Sequence, residues 1–353
     1  MIMANNINPP QNSQEGISNI SEDTISENNI SEQSETKENT KTKENTKEKQ
    51  FKQLQKASYR VFGKNKHSAV KLCLWTKRSI KTGEADFCYK QKFYRSSCGV
   101  TAHRCIQMTP VFTKCNLRCS HCWRDHQYFS REKHQWDSAQ EIFEGSIEAQ
   151  QALLTGLGGV PHSPTHLTEA NAPNQVAISL DGEPFCYPHL DELIGLYLKN
   201  KFSVFLVTNG TFPHEIQKLK NLPTNFYLSL TSNTKEMFTR TQHPLTPDLW
   251  EKVLESLEIF SKLPTTRVIR VTCVKDMNMT HPEKYAELIN LAKPDYVECK
   301  AWMAIGGSAK RLKYEQMPTH LEVREFAQQI ADALGYKIKD EKANSRVVLL
   351  TKE

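Results

Sequence analysis

Between residues 107 and 335 the chain alternates short apolar, β-branched runs with longer amphipathic stretches. Such apolar runs predict buried strands, and an apolar period of 3.6 residues predicts helices packed on a sheet. Strands are predicted at 107–113, 175–180, 203–209, 226–231, 267–274 and 296–304. Helices are predicted at 138–157, 189–200, 247–260, 281–292 and 320–335, the first opening at Asp137 with Gln140 completing a capping box.

This repeat of strand and helix predicts an α/β fold with a parallel sheet. Six units are too few for a closed eight-stranded barrel, so we expect a partial (βα)6 barrel of the TIM type. A doubly wound sheet has the same periodicity and remains an alternative. In both architectures the working face lies beyond the carboxyl ends of the strands, where the polar motifs DGEP (181–184), TNG (208–210) and TSN (231–233) fall.

Composition divides the rest of the chain. Residues 1–50 are rich in Asn, Ser, Glu, Thr and Lys and contain no aromatic residue, which predicts a disordered low-complexity tail. The remaining parts are predicted to be a basic N-terminal extension (51–106), the α/β core (107–335) and a C-terminal strand or tail segment (336–353). The chain start has no signal-peptide pattern, and no run of about 18 apolar residues occurs, so we expect a cytoplasmic protein without membrane attachment.

Positive charge is concentrated near the start of the predicted fold. The chain has a net charge of +6, yet residues 51–110 alone contain thirteen Lys or Arg and only two acids. A basic patch of this density favours a polyanionic partner such as nucleic acid, although a solvated basic face without a partner gives the same pattern.

Seven of the ten cysteines lie between Cys73 and Cys122. In a reducing compartment such a cluster favours metal binding or catalysis over disulfides. Cys115, Cys119 and Cys122 have the spacing C-x3-C-x2-C on one loop, whereas structural zinc sites use four ligands. Three thiolates on a 4Fe-4S cluster leave the fourth iron open to a substrate or cofactor.

The three-thiol loop after the first core strand, with GEP after the second, resembles the radical S-adenosylmethionine (SAM) superfamily. The resemblance implies that Cys115, Cys119 and Cys122 hold a 4Fe-4S cluster whose open iron binds SAM, the source of a 5′-deoxyadenosyl radical. Glu183 can accept a hydrogen bond from the methionyl amino group, Gly182 permits close backbone approach and Pro184 fixes the turn. The expected SAM contacts are Gly182, Glu183, Pro184, Thr208, Asn209, Ser229 and Thr231.

Upstream, the stretches HSAVKLC, CYKQKFYRSS and AHRCIQMTP contain a second series of three cysteines. Together with CNLRCSHCWR, EGSIEAQ, VAISLDGEP, VTNG and MPTH they resemble the archaeal-type tRNA 4-demethylwyosine synthase family, from about residue 51 to about residue 334. The resemblance implies a second 4Fe-4S cluster on Cys73, Cys88 and Cys105. It also implies that Lys90 forms a Schiff base with pyruvate; chelation of pyruvate by the second cluster is the alternative.

The implied activity is that of a radical SAM carbon–carbon lyase. It would condense N1-methylguanosine, next to the anticodon of tRNA-Phe, with pyruvate to form 4-demethylwyosine, the first tricyclic step of wyosine and wybutosine biosynthesis. Eukaryotic relatives add a flavodoxin-like reductase domain and nothing here resembles one, so we expect an external ferredoxin- or flavodoxin-like electron donor. We also expect a monomer.

Two other functions remain open at this stage. One is a radical SAM enzyme with another substrate, in which the second cluster only transfers electrons. The other is a zinc-bearing nucleic-acid binding module without catalysis. Cys98 has no counterpart in the family pattern and could replace one of the second-cluster ligands, whereas Cys186, Cys273 and Cys299 are expected to be core thiols.

Overall fold

The computed structural model describes residues 58–84, 88–129 and 135–352, so the predicted tail at 1–50 lies outside the described residues. Ten strands form one sheet in the order β1-β2-β3-β4-β5-β6-β7-β8-β10-β9. Their bounds are β1 Tyr59–Phe62, β2 Ser68–Lys71, β3 Cys105–Thr109, β4 Gln175–Ile178, β5 Ser203–Thr208, β6 Asn225–Ser229, β7 Thr266–Cys273, β8 Tyr296–Ala301, β9 Lys337–Lys342 and β10 Val347–Thr351.

The six predicted strands are confirmed as β3 to β8. They pair parallel and follow chain order in the sheet. A doubly wound sheet reverses its strand order partway, so this alternative is wrong, and the order is that of consecutive (βα) units. Antiparallel strands extend the sheet at both ends, with β2 and β1 beside β3 and with β10 and β9 beside β8.

The five predicted helices are present, and the described residues contain five others that the periodicity does not predict. In chain order the helices are α1 Leu74–Thr82, α2 Tyr89–Cys98, α3 Ala139–Leu154, α4 Pro164–Ala170, α5 Leu190–Lys199, α6 Pro213–Lys218, α7 Lys235–Gln242, α8 Leu249–Phe260, α9 Pro282–Ala292 and α10 His320–Leu334. None of the described helices is long and apolar enough to cross a membrane.

The predicted capping box of α3 is wrong by one residue. Ser138 caps the helix and Glu141 completes the box, because the Ser138 hydroxyl accepts from the Glu141 amide while Glu141 accepts from the Ser138 amide. Asp137 is buried instead, and its carboxylate accepts hydrogen bonds from the backbone and side chain of Asn65. Asp137 thus ties α3 to the β1–β2 hairpin.

The two faces of the sheet have separate cores. The larger core packs residues such as Met108, Ile178 and Leu206 against surrounding helices. The smaller core contains alternate strand residues, among them Phe205 and Tyr227, together with Tyr89, Phe93 and Tyr94 of α2. Helix α2 therefore packs on the opposite face from the larger helical layer, which brings its side chains to the inner face of the strands.

Candidate active site

The three-thiol loop follows β3 and lines a cavity of about 390 Å³ at the carboxyl ends of the strands. Six of the seven predicted SAM contacts also line this cavity: Gly182, Glu183, Thr208, Asn209, Ser229 and Thr231. The seventh, Pro184, does not; it is buried at the start of the 3-10 turn Pro184–Cys186. The strand ends thus bring together residues that are 60 to more than 100 positions apart in the chain.

Backbone hydrogen bonds hold the thiol loop against the end of α7. The Arg118 amide donates to the Gln242 carbonyl at 2.9 Å, and the Ser120 amide donates to the Thr241 carbonyl at 2.8 Å. On the other side, the Arg311 guanidinium donates to the carbonyls of Ser120, Cys122 and Arg124. These bonds fix the loop without using the thiols, which leaves the thiols available as ligands.

All three thiols of the loop are protonated at neutral pH when they carry no metal. Burial raises the pKa of Cys122 to about 11 and raises the pKa of Cys115 and Cys119 further, and neighbouring acidic groups add to the effect. Thiolates are the metal-binding form, so metal binding must release protons and becomes more favourable as pH rises.

Glu183 is one of two buried carboxylates that line the cavity, the other being Asp181. Its side chain accepts hydrogen bonds from the Thr208 hydroxyl and the Asn209 amide, both at 2.7 Å, and from the Phe185 amide at 3.3 Å. Burial nevertheless raises the pKa of Glu183 to about 7, because these bonds only partly offset the cost of desolvating its charge. A cationic or hydrogen-bond-donating ligand group would therefore find an acceptor held at a fixed position.

Gly182 packs directly against the thiol loop. It has φ +67°, and a Cβ there would lie 2.2 Å from the Val111 carbonyl oxygen and 2.5 Å from that of Lys114. The contact is backbone against backbone, and the Glu183 amide donates to the same Lys114 carbonyl at 2.8 Å. The positive φ and the close backbone oxygens therefore both require a glycine at position 182.

We predict that Gly182→Ala lowers the free energy of unfolding by about 2–5 kcal/mol, from left-handed strain plus overpacking. Gly99→Ala is the matched control, since Gly99 has φ +61° but a Cβ at this position would meet nothing within 4 Å, so only the strain of about 1–2 kcal/mol is expected. Urea unfolding of both variants measures the difference. Equal destabilisation would contradict the proposed backbone contact.

The second cysteine series meets around the beginning of α2. Cys73 and Cys88 occupy the N-cap positions of α1 and α2, and Cys105 begins β3. Burial raises the pKa of Cys73 to about 11 and that of Cys105 to about 12, and in both cases the nearby Cys88 thiol contributes to the increase. The structure thus places the three predicted residues within electrostatic range of one another.

Cys98 lies at the opposite end of α2 from Cys88, about 15 Å away along a ten-residue helix. Its thiol is 3.1 Å from the Asn225 side-chain oxygen, and its carbonyl accepts a hydrogen bond from the Ser203 hydroxyl at 3.0 Å. These neighbours begin β6 and β5. The distance of Cys98 from Cys88 favours a structural role for Cys98.

Lys90 lies between two aromatic rings on the inner face of the sheet. Its Nζ atom is 4.6 Å from the ring centre of Phe205 and 4.7 Å from that of Tyr227. Burial and the nearby Arg270 guanidinium lower the pKa of Lys90. Among the hydrogen bonds and ion pairs of the described residues none includes the Lys90 amine, which leaves it available to react.

Charged residues that the sequence analysis did not single out lie on β7 and β8, and two of them, Arg270 and Glu298, act electrostatically on Lys90. Arg270 on β7 and Lys300 on β8 both line the cavity, and Glu298 is fully buried on β8. Arg270 donates to Glu298 at 2.7 Å and to the Tyr89 hydroxyl at 2.8 Å. A sequence signal was available, because charged residues inside otherwise apolar, buried strands are rare and need a partner or a function.

The thiol loop offers the type of donor that an iron–sulfur cluster uses. Three thiols on a clamped loop beside the glycine cradle at 182 match the donors of a 4Fe-4S cluster with one open iron.

Comparison with known proteins agrees with this geometry. Residues 109–289 match the radical SAM superfamily, and residues 291–352 match the wyosine base formation family. The SAM-dependent tRNA 4-demethylwyosine synthase of Pyrococcus abyssi is 43% identical over 85% of this chain and 87% of its own length.

Two solved structures share the fold over most of both chains. The structure of TYW1 with a lysine–pyruvate adduct bound has a TM-score of 0.78 and 33% identity, covering 87% of this chain and 96% of that one. Archaeal TYW1 has a TM-score of 0.71 and 31% identity, covering 86% and 96%. The protein described here therefore belongs to the radical SAM superfamily and, within it, to the S-adenosyl-L-methionine-dependent tRNA 4-demethylwyosine synthases.

Proposed function

We propose that this enzyme condenses N1-methylguanosine of tRNA-Phe with pyruvate as a carbon–carbon lyase, and that Lys90 holds pyruvate as a Schiff base. The observation that carries the proposal is the Lys90 amine, which lies between two aromatic rings beside the second cysteine series. A related enzyme has been solved with a lysine–pyruvate adduct, which supports the same use of a lysine here.

Lys90 would join pyruvate by forming an imine. The amine nitrogen attacks the pyruvate carbonyl carbon, water leaves, and an imine joins the two without oxidation or reduction. Such an attack needs a neutral amine, and an apolar surrounding disfavours the charged form. Burial of Lys90 and the nearby Arg270 guanidinium act in this direction, whereas the ring faces of Phe205 and Tyr227 hold the amine in place.

Two groups of thiols would hold the cofactors. Cys115, Cys119 and Cys122 would bind the first 4Fe-4S cluster, and Cys73, Cys88 and Cys105 the second. The first cluster would pass one electron to bound SAM, whose sulfonium bond would break to give methionine and the adenosyl radical. Glu183 would accept a hydrogen bond from the methionyl amino group, and the required electron would come from an external ferredoxin- or flavodoxin-like protein.

The tRNA would bind through exposed basic residues of the N-terminal segment. Apart from Lys92, which is paired with Asp340, six Lys or Arg side chains between 58 and 104 are exposed: Arg60, Lys64, Lys66, Arg78, Lys81 and Arg95. Contacts of such side chains with phosphates release counterions, so tRNA affinity should fall steeply with salt. Extrusion of the modified base from the anticodon loop would bring it to the cavity.

The proposal is tested with anaerobically reconstituted enzyme, a reductant, SAM, pyruvate and tRNA-Phe carrying N1-methylguanosine, with mass spectrometry of the nucleosides. Product should form only when pyruvate and the methyl group are both present. Omitting pyruvate and using unmethylated tRNA are the controls. Product formation without pyruvate would contradict the assigned substrate, and tRNA binding that ignores ionic strength would contradict the basic surface.

A pH prediction follows from Glu183. Since its pKa is about 7, the carboxylate is mostly protonated at pH 6 and mostly ionised at pH 8. If the ionised form accepts a hydrogen bond from the methionyl amino group, SAM affinity should rise about tenfold from pH 6 to pH 8.

Glu183→Gln should bind SAM about 10- to 100-fold more weakly, because a charged acceptor is lost, and the Glu183 contribution to the pH dependence should disappear. Equilibrium dialysis of SAM measures both, and an unchanged pH profile in the variant would contradict this role.

A further inference from the structure

The inner face of β7 and β8 carries one carboxylate, Glu298, whose hydrogen-bonding capacity is already used. One of its oxygens accepts from the Tyr94 and Tyr227 hydroxyls at 2.8 and 3.0 Å. The other accepts from Arg270, from Nη2 at 2.7 Å and from Nε at 3.2 Å. Arg270 and Glu298 therefore neutralise each other.

Lys300 has no such partner. Its Nζ atom donates to the Ser345 carbonyl at 2.8 Å and lies 5.5 Å from the ring centre of Tyr89. Within the described parts of the chain, no ion pair includes Lys300. Two of the three ammonium donors thus remain unused on a residue that lines the cavity. A cation that is partly removed from water and not compensated is costly, and an anionic ligand would remove that cost.

We propose that Lys300 binds the carboxylate of the α-keto acid whose carbonyl reacts with Lys90. This inference rests on the proposed function and adds a residue that positions the substrate and selects for its charge. A nucleophile and an anion-binding group need different surroundings. Lys300 makes one hydrogen bond and has free donors for an anion, whereas the Lys90 amine contacts two aromatic rings. Lys90 is the nucleophile and Lys300 is the anion-binding group.

The position of Lys300 connects it to the Lys90 site. Tyr89, which precedes Lys90 in α2, contacts both Arg270 and Lys300. Arg270 and Glu298 influence the electrostatics of both lysines. A small α-keto acid has only one bond between its carbonyl carbon and its carboxylate, so its two ends need neighbouring groups of different chemistry.

The main competing anion is the carboxylate of SAM. Glu183, the expected acceptor for the methionyl amino group, follows β4, which is four strand positions from β8 in the sheet. The methionyl carboxylate is attached close to that amino group, so it is expected on the β4 side. Lys300 nevertheless lines the same cavity as Glu183, so SAM binding and pyruvate binding are measured side by side in Lys300→Met to distinguish the two carboxylates.

The first test is equilibrium dialysis of labelled pyruvate with the reconstituted enzyme in a Lys90→Ala background, where no imine can form. Adding Lys300→Met should weaken pyruvate binding about 10- to 100-fold, the effect of losing a charge-assisted hydrogen bond. Lys300→Arg should keep most of the affinity. Lys339→Met removes an exposed lysine of β9 and should leave the affinity unchanged.

A second measurement uses Lys90 and compares two carbonyl compounds. Cyanoborohydride reduces any imine to a stable amine, so adducts of pyruvate and of acetone, its uncharged analogue, can be counted by mass spectrometry. In Lys300→Met, trapping of pyruvate at low concentration should fall about 10- to 100-fold relative to acetone.

Several outcomes would overturn the inference: unchanged pyruvate binding in Lys300→Met, equal loss of pyruvate and acetone trapping, weaker SAM binding with normal pyruvate binding, or loss of iron from the second cluster. A different result would contradict the proposed function. If the otherwise unsubstituted enzyme forms no pyruvate adduct while Lys300→Met still weakens pyruvate binding in the Lys90→Ala background, the Schiff base is wrong and the Lys300 site stands.

Discussion

Replacing Cys115, Cys119 and Cys122 together by alanine is expected to abolish 4-demethylwyosine formation and to remove about four of about eight irons per chain. Without these thiols the open iron that would bind SAM is lost, so no adenosyl radical can form. Iron and acid-labile sulfide are measured after anaerobic reconstitution, and SAM cleavage is measured in the same samples.

The fold should survive this triple substitution. The loop is held by backbone bonds to α7 and by the Arg311 clamp, and the hydrogen bonds that Cys115 accepts, from the Leu117 amide at 3.5 Å and the Asn209 side chain at 3.8 Å, are weak. Circular dichroism should therefore be unchanged. Loss of iron would then report on the ligands and not on unfolding.

Cys98→Ala is the matched control for the iron measurement. Cys98 is half-buried like the presumed ligands, but it lies at the far end of α2 and contacts Asn225. Its substitution should leave about eight irons. A fall to about four in Cys98→Ala would make it a ligand of the second cluster, and a triple variant with no iron at all would mean that the chain holds only one cluster.

The strands of the core could be predicted from the sequence because they are buried on both faces. Runs such as 176–178 and 204–207 are wholly apolar, and this pattern identifies both the type of element and its position in the chain. The sheet edges could not be predicted in the same way. The β9 strand, with the sequence KIKDEK, is highly charged and joins the sheet only through its pairing with β10.

The burial of α2 could not be predicted from the sequence either. Its polar sequence, YKQKFYRSSC, resembles a surface segment, yet Tyr89, Phe93 and Tyr94 pack on the inner face of the sheet. Burial there depends on curvature and on partners from β5, β6 and β8, which are distant in the chain. For the same reason the motif match could name Lys90, but only the structure shows its two aromatic neighbours.

Lys90→Ala is expected to lower product formation at least about a thousandfold, because the nucleophile that binds pyruvate covalently is absent. The iron content and tRNA affinity should remain normal, since Lys90 is neither a thiol ligand nor an exposed residue. Lys90→Arg should be equally inactive, because a guanidinium keeps the charge but cannot lose its proton to attack a carbonyl.

Lys92→Ala is the control that separates chemistry from charge. Lys92 is two residues away on the same helix but points outward, where its Nζ atom lies 2.6 Å from Asp340 and 2.7 Å from the Glu341 carbonyl oxygen. An exposed ion pair of this kind contributes at most about 1 kcal/mol to stability, so activity should change little. Trapping with cyanoborohydride should label the Lys92→Ala enzyme and leave Lys90→Ala unlabelled.

The same pair of variants decides between the two ways of holding pyruvate. Chelation of its carbonyl and carboxylate oxygens by the second cluster needs the thiols of Cys73, Cys88 and Cys105 but no lysine. Full activity in Lys90→Ala would therefore eliminate the Schiff base and leave chelation as the binding mode. Activity lost in Lys90→Ala and retained in Lys92→Ala, with equal iron in both, would require the amine that lies between Phe205 and Tyr227.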